Sequence, residues 1–234
     1  MVGKVPKILV TGEHDERAPE GVEWVCVPVL RFERLTVAAP LIAEAVERPF
    51  GWIVFASPRA VTFWCETLLE HGVDLPIETQ VACVGESTAA AAEEAGFSPD
   101  FYPTEPGSEA FLVEFEDLLS NTLEKPRVLI PQAEGGRPAI ALRLKELGCD
   151  VTEVPLYKSI PRDDLGGLDR LGDLSGLIFT SPSSAEALLA RFTPPAGVQW
   201  IAIGQYTRDF LAGRGAKDVR LLPGGEFSRV REVL

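Results

Sequence analysis

A stretch of strand, serine, proline and helix occurs twice in this chain. The first copy is Trp52–Phe63, WIVFASPRAVTF. Ile53, Val54 and Phe55 form a short apolar run of β-branched and aromatic residues, the mark of a buried strand. Ser57 suits a helix cap, and Pro58 suits the first helical position, where a missing N–H costs nothing. Arg59 sets a cation beside the open N–H groups of that turn, which suits an anionic ligand. The second copy is Leu177–Ala187, LIFTSPSSAEA, with Ser181 and Pro182 in the matching places.

Longer matches support two related halves. Ala82–Phe97 and Ile201–Ala216 both read strand, Gly, two residues, Thr, helix, Gly, and Val128–Ser159 resembles Ile8–Phe32. Their order is permuted. One half runs continuously from about Thr36 to Tyr157; the other needs the first 35 residues plus about Arg162–Leu234. Each set of strands buries both faces only when complete. The expected fold is therefore α/β: two flavodoxin-like, doubly wound parallel-sheet lobes, one inserted in the other. Lobe 1 comprises residues 1–35 and 162–234, and lobe 2 residues 36–157. Extended crossings at about Leu30–Leu35 and Tyr157–Pro161 join them, with a cleft between. Among the smaller elements, the pattern predicts one strand over Val22–Leu30 and helices over Pro40–Glu47, Glu109–Leu119 (capped by Ser108) and Glu226–Leu234.

Composition narrows the partners. Lys plus Arg is 22 against 35 Asp plus Glu, a net charge of −13, which opposes nucleic acid or an anionic membrane as partner. An anionic small molecule then needs a locally basic cleft. The N-terminal MVGKVPKILVTG has no signal-peptide core, and no apolar run reaches the roughly 18 residues of a membrane span, so a cytoplasmic protein is expected. No apolar stripe demands a second copy, and a monomer is expected. Cys26, Cys65, Cys83 and Cys149 are scattered over strands and helices and read as buried free thiols. His14 and His71 are the only histidines, too few for a zinc site or a Ser/His/Asp or Cys/His set. Neither Gly-x-Gly-x-x-Gly nor Gly-x-x-x-x-Gly-Lys-Ser/Thr occurs.

Ligands of doubly wound sheets bind outside the carboxyl ends of the strands. Those ends carry Thr11-Gly12, Ser57-Pro58-Arg59, Gly85-Glu86-Ser87-Thr88, Gln132–Arg137, Ser181-Pro182-Ser183 and Gly204–Thr207. All offer N–H groups or hydroxyls to anionic oxygens. Ser and Thr also cap helices in any α/β protein, so each position has capping alone as its alternative; together they define a binding cleft. Glu13, Asp15 and Glu16 are similar to the acidic pocket of a phosphorylation receiver. No Asp ends the next core strands, and they read as a solvated acidic loop. Tyr157 ends a strand just before a crossing. It faces the gap between halves, where a phenol could orient or protonate a leaving group, or it is an ordinary strand-end tyrosine.

Several of these segments form a recognisable set: Ala56-Ser57-Pro58-Arg59-Ala60-Val61 with Thr180-Ser181-Pro182, Val84-Gly85-x-x-Thr88-Ala89 with Ile203-Gly204-x-x-Thr207, and the strand ending Pro155-Leu156-Tyr157-Lys158. In order and doubling, from about Val22 to Leu222, the chain resembles the uroporphyrinogen-III synthase family. The resemblance implies a bilobal fold and an enzyme that closes linear hydroxymethylbilane to uroporphyrinogen III, inverting the last pyrrole ring through a spiro intermediate and losing water. It implies a polycarboxylate linear tetrapyrrole as substrate and no metal or organic cofactor. It also implies roles: Tyr157 as acid for loss of the substrate hydroxyl, Thr88 and Thr207 as motif threonines at the cleft, Ser57 and Ser181 as the doubled Ser-Pro turns. Arg59 and Arg137 are carboxylate partners on this reading, since guanidinium matches carboxylate in a fork. Gly12-Glu13 stands where many family members carry Arg-Pro, and Tyr206 where a small residue is usual. The alternatives are a catalytically inactive bilobal sensor for a tetrapyrrole or other anionic metabolite, and a periplasmic-type solute-binding protein.

Overall fold

The structure is a computed structural model. It describes residues 5–12, 18–37, 40–43, 48–74, 78–105, 107–120, 122, 124–136, 138–165, 168 and 171–234. The chain divides into two units: Met1–Arg31 with Ser159–Leu234, and Phe32–Lys158.

The first unit holds β1 (Lys7–Thr11) and β2 (Glu23–Val27) from the start of the chain. In the second unit's sheet come β3 (Leu30–Arg34), β4 (Trp52–Phe55), β5 (Gln80–Cys83), β6 (Arg127–Ala133) and β7 (Asp150–Pro161). The first unit resumes with β8 (Gly176–Phe179), β9 (Gln199–Ala202) and β10 (Val219–Leu221). Its order is β10-β9-β8-β1-β2, and all four pairings are parallel. Numbered within the unit, this is the flavodoxin order 2-1-3-4-5, with the switch point between β1 and β8. The second sheet runs β3-β7-β6-β4-β5, and its β7-β6-β4-β5 part repeats that order from β6, with the switch point between β6 and β4. A single bridge, Ala82 to Phe101, stands for the strand beyond β5. Two doubly wound parallel sheets, one inserted in the other, are what the permuted repeat predicts.

Central strands are buried on both faces. In the second unit, Ile53 and Phe55 of β4 pack with Val61 and Trp64 of α1 (Pro58–His71). Trp52 and Val54 face the other way, onto Phe111 and Phe115 of α3 (Ser108–Ser120) and Leu144 of α4 (Ala139–Glu146), while α2 (Glu86–Glu94) adds Ala89 and Ala92 to the first layer. In the first unit, Leu177 and Phe179 of β8 pack with Leu188 of α5 (Pro182–Leu189) and Leu211 of α6 (Gln205–Gly213). Ile8, Val10 and Ile178 face Phe227 and Val230. Each such side chain contributes about 1.5–3 kcal/mol on burial, which is why the near-continuous apolar runs are legible as strands. Helix α1 stops at Gly72, whose φ of 62° turns the chain so that the following Val73 N–H reaches the Leu68 carbonyl at 3.1 Å.

Three local expectations change. The strand predicted over Val22–Leu30 breaks at Pro28-Val29, because proline has no N–H for the ladder. Its continuation is β3, which neighbours β7; Leu35 N–H donates to the Leu156 carbonyl at 2.8 Å. Both predicted crossing segments are extended, as the sequence implies, and β3 and β7 are neighbours in one sheet. The last helix is a 3₁₀ helix over Phe227–Val233. Phe227, Val230 and Val233 recur every third residue, so the three-per-turn form puts all three on one face. Helix α3 includes Ser108 instead of starting after it, with Phe111 N–H on the Gly107 carbonyl at 3.0 Å. Residues 40–43 are helical, and the rest of the predicted Pro40–Glu47 helix lies outside the described residues, as do Glu13, Asp15 and Glu16.

Candidate functional site

Tyr157 is aimed by an irregularity. Strands β6 and β7 pair in register from Arg127 opposite Asp150 to Gln132 opposite Pro155; then Ala133 comes opposite Tyr157. Leu156 is the extra residue of a bulge, and a bulge re-aims the side chain that follows. Val154, Leu156 and Tyr157 consequently share one core layer, although plain alternation would send Tyr157 to the other face. The ring is 6% exposed. It stacks on Phe63 of α1 at 4.8 Å and 23°, and meets Phe32 of β3 edge-on at 6.0 Å and 75°.

The phenol oxygen lies 3.4 Å from Ser57 Oγ. Ser57 caps α1, its Oγ accepting the Ala60 N–H at 3.2 Å. Two residues on, the Arg59 guanidinium carbon sits 3.4 Å from the Phe32 ring centroid, a cation–π contact. Phe32 thus carries Arg59 over its face and has Tyr157 against its ring. Ser57, Arg59 and Tyr157 come together here, beside the β6/β4 switch point. Thr88 lies in the first turn of α2, 4% exposed, its N–H on the Gly85 carbonyl at 3.0 Å. Helix α2 follows β5, so Thr88 stands at the same carboxyl edge of the sheet, one strand along from Ser57. Arg137 lies outside the described residues. The loop before it is tied to Tyr157: the Glu134 N–H donates to the Tyr157 carbonyl at 2.7 Å. A Cβ on Gly136 would meet the movable Gln132 Oε1 at 2.7 Å and the backbone carbonyl oxygen of Ala133 at 3.0 Å, so a larger residue there is crowded.

The first unit builds its switch point differently. Ser181 caps α5 in a reciprocal box: Ser184 N–H donates to Ser181 Oγ at 3.1 Å and Ser181 N–H to Ser184 Oγ at 3.0 Å. Thr11, at the end of β1, puts its Oγ1 2.9 Å from Ser184 Oγ and accepts the Thr180 N–H at 3.0 Å. Thr180 Oγ1 in turn donates to the Thr11 carbonyl. The polar groups of this turn bond mostly to one another. Thr207, in the first turn of α6, is 1% exposed, and its hydroxyl has no hydrogen-bond partner among the described residues.

Neither Phe32, Phe63 nor Ser184 is singled out by the sequence as a site residue, whereas Thr11 and Thr180 stand in the strand-end turns already read there. Ser184 does carry a usable signal, standing three residues after a Ser cap. Three of the four cysteines are held in the thiol form, which is a poor nucleophile. Burial pushes Cys83 up to about 12, with Glu93 adding to it, and burial also raises Cys65 and Cys149. Among the described residues no cluster of three or more His, Cys, Asp and Glu could hold a metal ion, and no helix is long and apolar enough to cross a membrane.

Two parallel α/β units in permuted flavodoxin order, with hydroxyl-bearing turns at the carboxyl edges and one buried phenol, define a two-unit, doubly wound class of α/β protein. The family profile described as uroporphyrinogen-III synthase HemD matches residues 16–221. A curated protein of Methanothermobacter thermautotrophicus, provisionally named a uroporphyrinogen-III synthase, is 25% identical over 189 residues, 74% of this chain and 73% of its own. The uroporphyrinogen-III synthetase structure from Helicobacter pylori superposes with a TM-score of 0.67 at 21% identity, covering 97% of both chains. A mutant uroporphyrinogen III synthase from Thermus thermophilus gives 0.60 at 19% identity, again covering 97% of both. The chain belongs to the uroporphyrinogen-III synthase family, enzymes of tetrapyrrole biosynthesis.

Proposed function

We propose that this enzyme is a carbon–oxygen lyase that cyclises hydroxymethylbilane to uroporphyrinogen III, inverting the last pyrrole ring with loss of water. One observation carries the chemical part of this reading: the Tyr157 phenol, clamped by Phe63 and Phe32, stands beside Ser57 at the N-terminus of α1. Tyr157 gives its proton to the departing hydroxyl. Loss of that hydroxyl leaves an electrophilic methylene carbon, which the last pyrrole ring attacks. The substrate is intrinsically reactive, so holding one geometry is the larger part of the task.

The substrate's carboxylates are met by Arg59, by Arg137 and by the helix N-termini at Ser57, Thr88, Ser181 and Thr207. Ser181 serves through the turn it caps, since its hydroxyl already accepts the Ser184 N–H. Thr207 serves through a hydroxyl with no partner among the described residues. Net charge of −13 leaves these local positive features as the attraction for a polyanion. On this reading the enzyme works as a cytoplasmic monomer.

The test is incubation with hydroxymethylbilane and chromatographic separation of the product isomers. Isomer III in excess supports the reading. Isomer I alone, formed at the rate of a protein-free control, removes it.

A further inference from the structure

We propose that Ser57 is the positioning residue of Tyr157: its hydroxyl donates to the phenol oxygen and so turns the phenol's own proton toward the substrate. The inference rests on the lyase reading for its catalytic consequence. The pairing of the two hydroxyls rests on geometry alone.

Three observations carry it. First, Ser57 Oγ takes the Ala60 N–H at 3.2 Å on one lone pair and keeps its hydrogen free to donate. On the lyase reading the phenol's own hydrogen goes to the substrate, so Ser57 is the donor of the pair. Second, the neighbour at that position is the Tyr157 hydroxyl, 3.4 Å away, a contact between residues 100 apart in the chain. That separation is long for two hydroxyls, so the contact is a weak one at this distance. Third, the ring cannot turn freely away. Phe63 stacks on one face at 4.8 Å, Phe32 lies edge-on at 6.0 Å, and the bulge at Leu156 holds its backbone.

The repeat provides an internal contrast. In the matching turn, Ser181 is followed by Ser184, whose hydroxyl closes a reciprocal box with it. Ser57 is followed at that place by Ala60, which has no hydroxyl. A phenol from β7 stands beside Ser57 instead.

The proton balance is closed. As the substrate C–O bond breaks, its electron pair leaves on oxygen, which takes the Tyr157 proton to become water. The Ser57 donor now meets a phenolate, and a hydrogen bond to the charged form is the stronger one. The proton expelled from the attacked pyrrole carbon on ring closure restores the phenol.

Ser57→Gly is the decisive variant, because glycine is tolerated at a helix cap nearly as well as serine while the donor is lost. Turnover should fall about 3- to 10-fold, the typical net worth of one hydrogen bond, with KM changed less than about 2-fold as befits a transition-state contact. Ser57→Thr, which keeps the hydroxyl, should restore most of the loss. Adding Ser57→Gly to Tyr157→Phe should cost nothing further, since a residue acting through another is non-additive with it. Additive losses, or a loss seen mainly in KM, would overturn the proposal in favour of direct contact between Ser57 and substrate. A second readout needs no turnover. Proton NMR should show a protected phenolic hydroxyl, assigned by its disappearance in Tyr157→Phe, that shifts or broadens in Ser57→Gly and returns in Ser57→Thr. A resonance unmoved by Ser57→Gly also overturns the pairing. Absence of isomer III with the unmodified protein would remove the lyase reading alone, leaving the NMR comparison to judge the hydroxyl pair.

Discussion

Ser184 Oγ accepts the Ser181 N–H at 3.0 Å, and Ser181 Oγ accepts the Ser184 N–H at 3.1 Å. Thr11 joins them from β1 at 2.9 Å. One hydroxyl therefore ties the start of the chain to a turn near its other end, across the switch point of the first sheet. Ser184 is 2% exposed, so removing its oxygen strands a polar group out of reach of water.

Ser184→Ala should destabilise the protein by about 1–2 kcal/mol, because the return half of the capping box is lost and the Ser181 N–H is stranded. The urea midpoint should fall with the slope unchanged. An unchanged midpoint would mean that the cluster is idle.

Cys83 predicts an alkaline weakness. Burial raises its folded pKa to about 12, above its ordinary 9.0, whereas the unfolded chain exposes it. Between about 9 and 12 the unfolded state binds fewer protons than the folded one, so stability falls as pH rises through that window. Below about pH 9 the contribution is fully present. The slope attributable to this thiol is at most about 1.4 kcal/mol per pH unit. Urea unfolding at pH 7, 9 and 10.5 should show the decline beginning near 9. Cys83→Ala should flatten part of it, and an identical slope in that variant would clear Cys83.

How far the sequence reaches is visible in single residues. The apolar runs Ile8–Val10, Ile53–Phe55 and Leu177–Phe179 are legible as strands because a central parallel strand is buried on both faces, and all nine residues are 0% exposed. The permuted order is legible because the repeat marks it. The bulge at Leu156 is not, since it is set by how β6 pairs with β7 rather than by local pattern. Without it, alternation alone misplaces the Tyr157 ring. In the candidate site, Ser57 and Tyr157 each stand out separately, as a cap and as a strand end. Their contact does not, because no periodicity links residues 100 apart. Likewise the partners of Ser184 are invisible at Ser181: Thr11 lies 173 positions from Ser184. Phe32 falls where the sequence shows only an extended crossing, and its role comes from Arg59 and Tyr157 arriving from other elements.

Arg59 separates binding from chemistry. Arg59→Gln removes a cation and its contact with Phe32. If it meets a substrate carboxylate equally in ground and transition states, KM should rise about 5- to 10-fold with turnover nearly constant. Raising salt should weaken binding to the unmodified enzyme more than to the variant, because one screened charge pair is gone. Equal KM values at low salt would take Arg59 out of the site.

Tyr157→Phe carries the most direct prediction for chemistry. The substitution keeps the ring between Phe63 and Phe32 and removes one oxygen, which lies 3.4 Å from Ser57 Oγ. The fold should therefore tolerate it, with a stability change below about 1 kcal/mol. Catalytically, a positioned acid is worth about 10²–10⁴-fold. The hydroxymethyl group leaves an already reactive pyrrole without strong acid, so the loss belongs at or below the low end, about 10²-fold or less in turnover. Isomer III should remain the product, because ring inversion depends on how the chain of pyrroles is held rather than on who protonates the leaving oxygen. Rapid-quench measurement of turnover with isomer analysis checks both statements at once. Full activity in Tyr157→Phe would reduce the phenol to a core residue. Release of isomer I by unassisted closure would show that protonation of the leaving group, rather than the holding of the pyrrole chain, governs both rate and product.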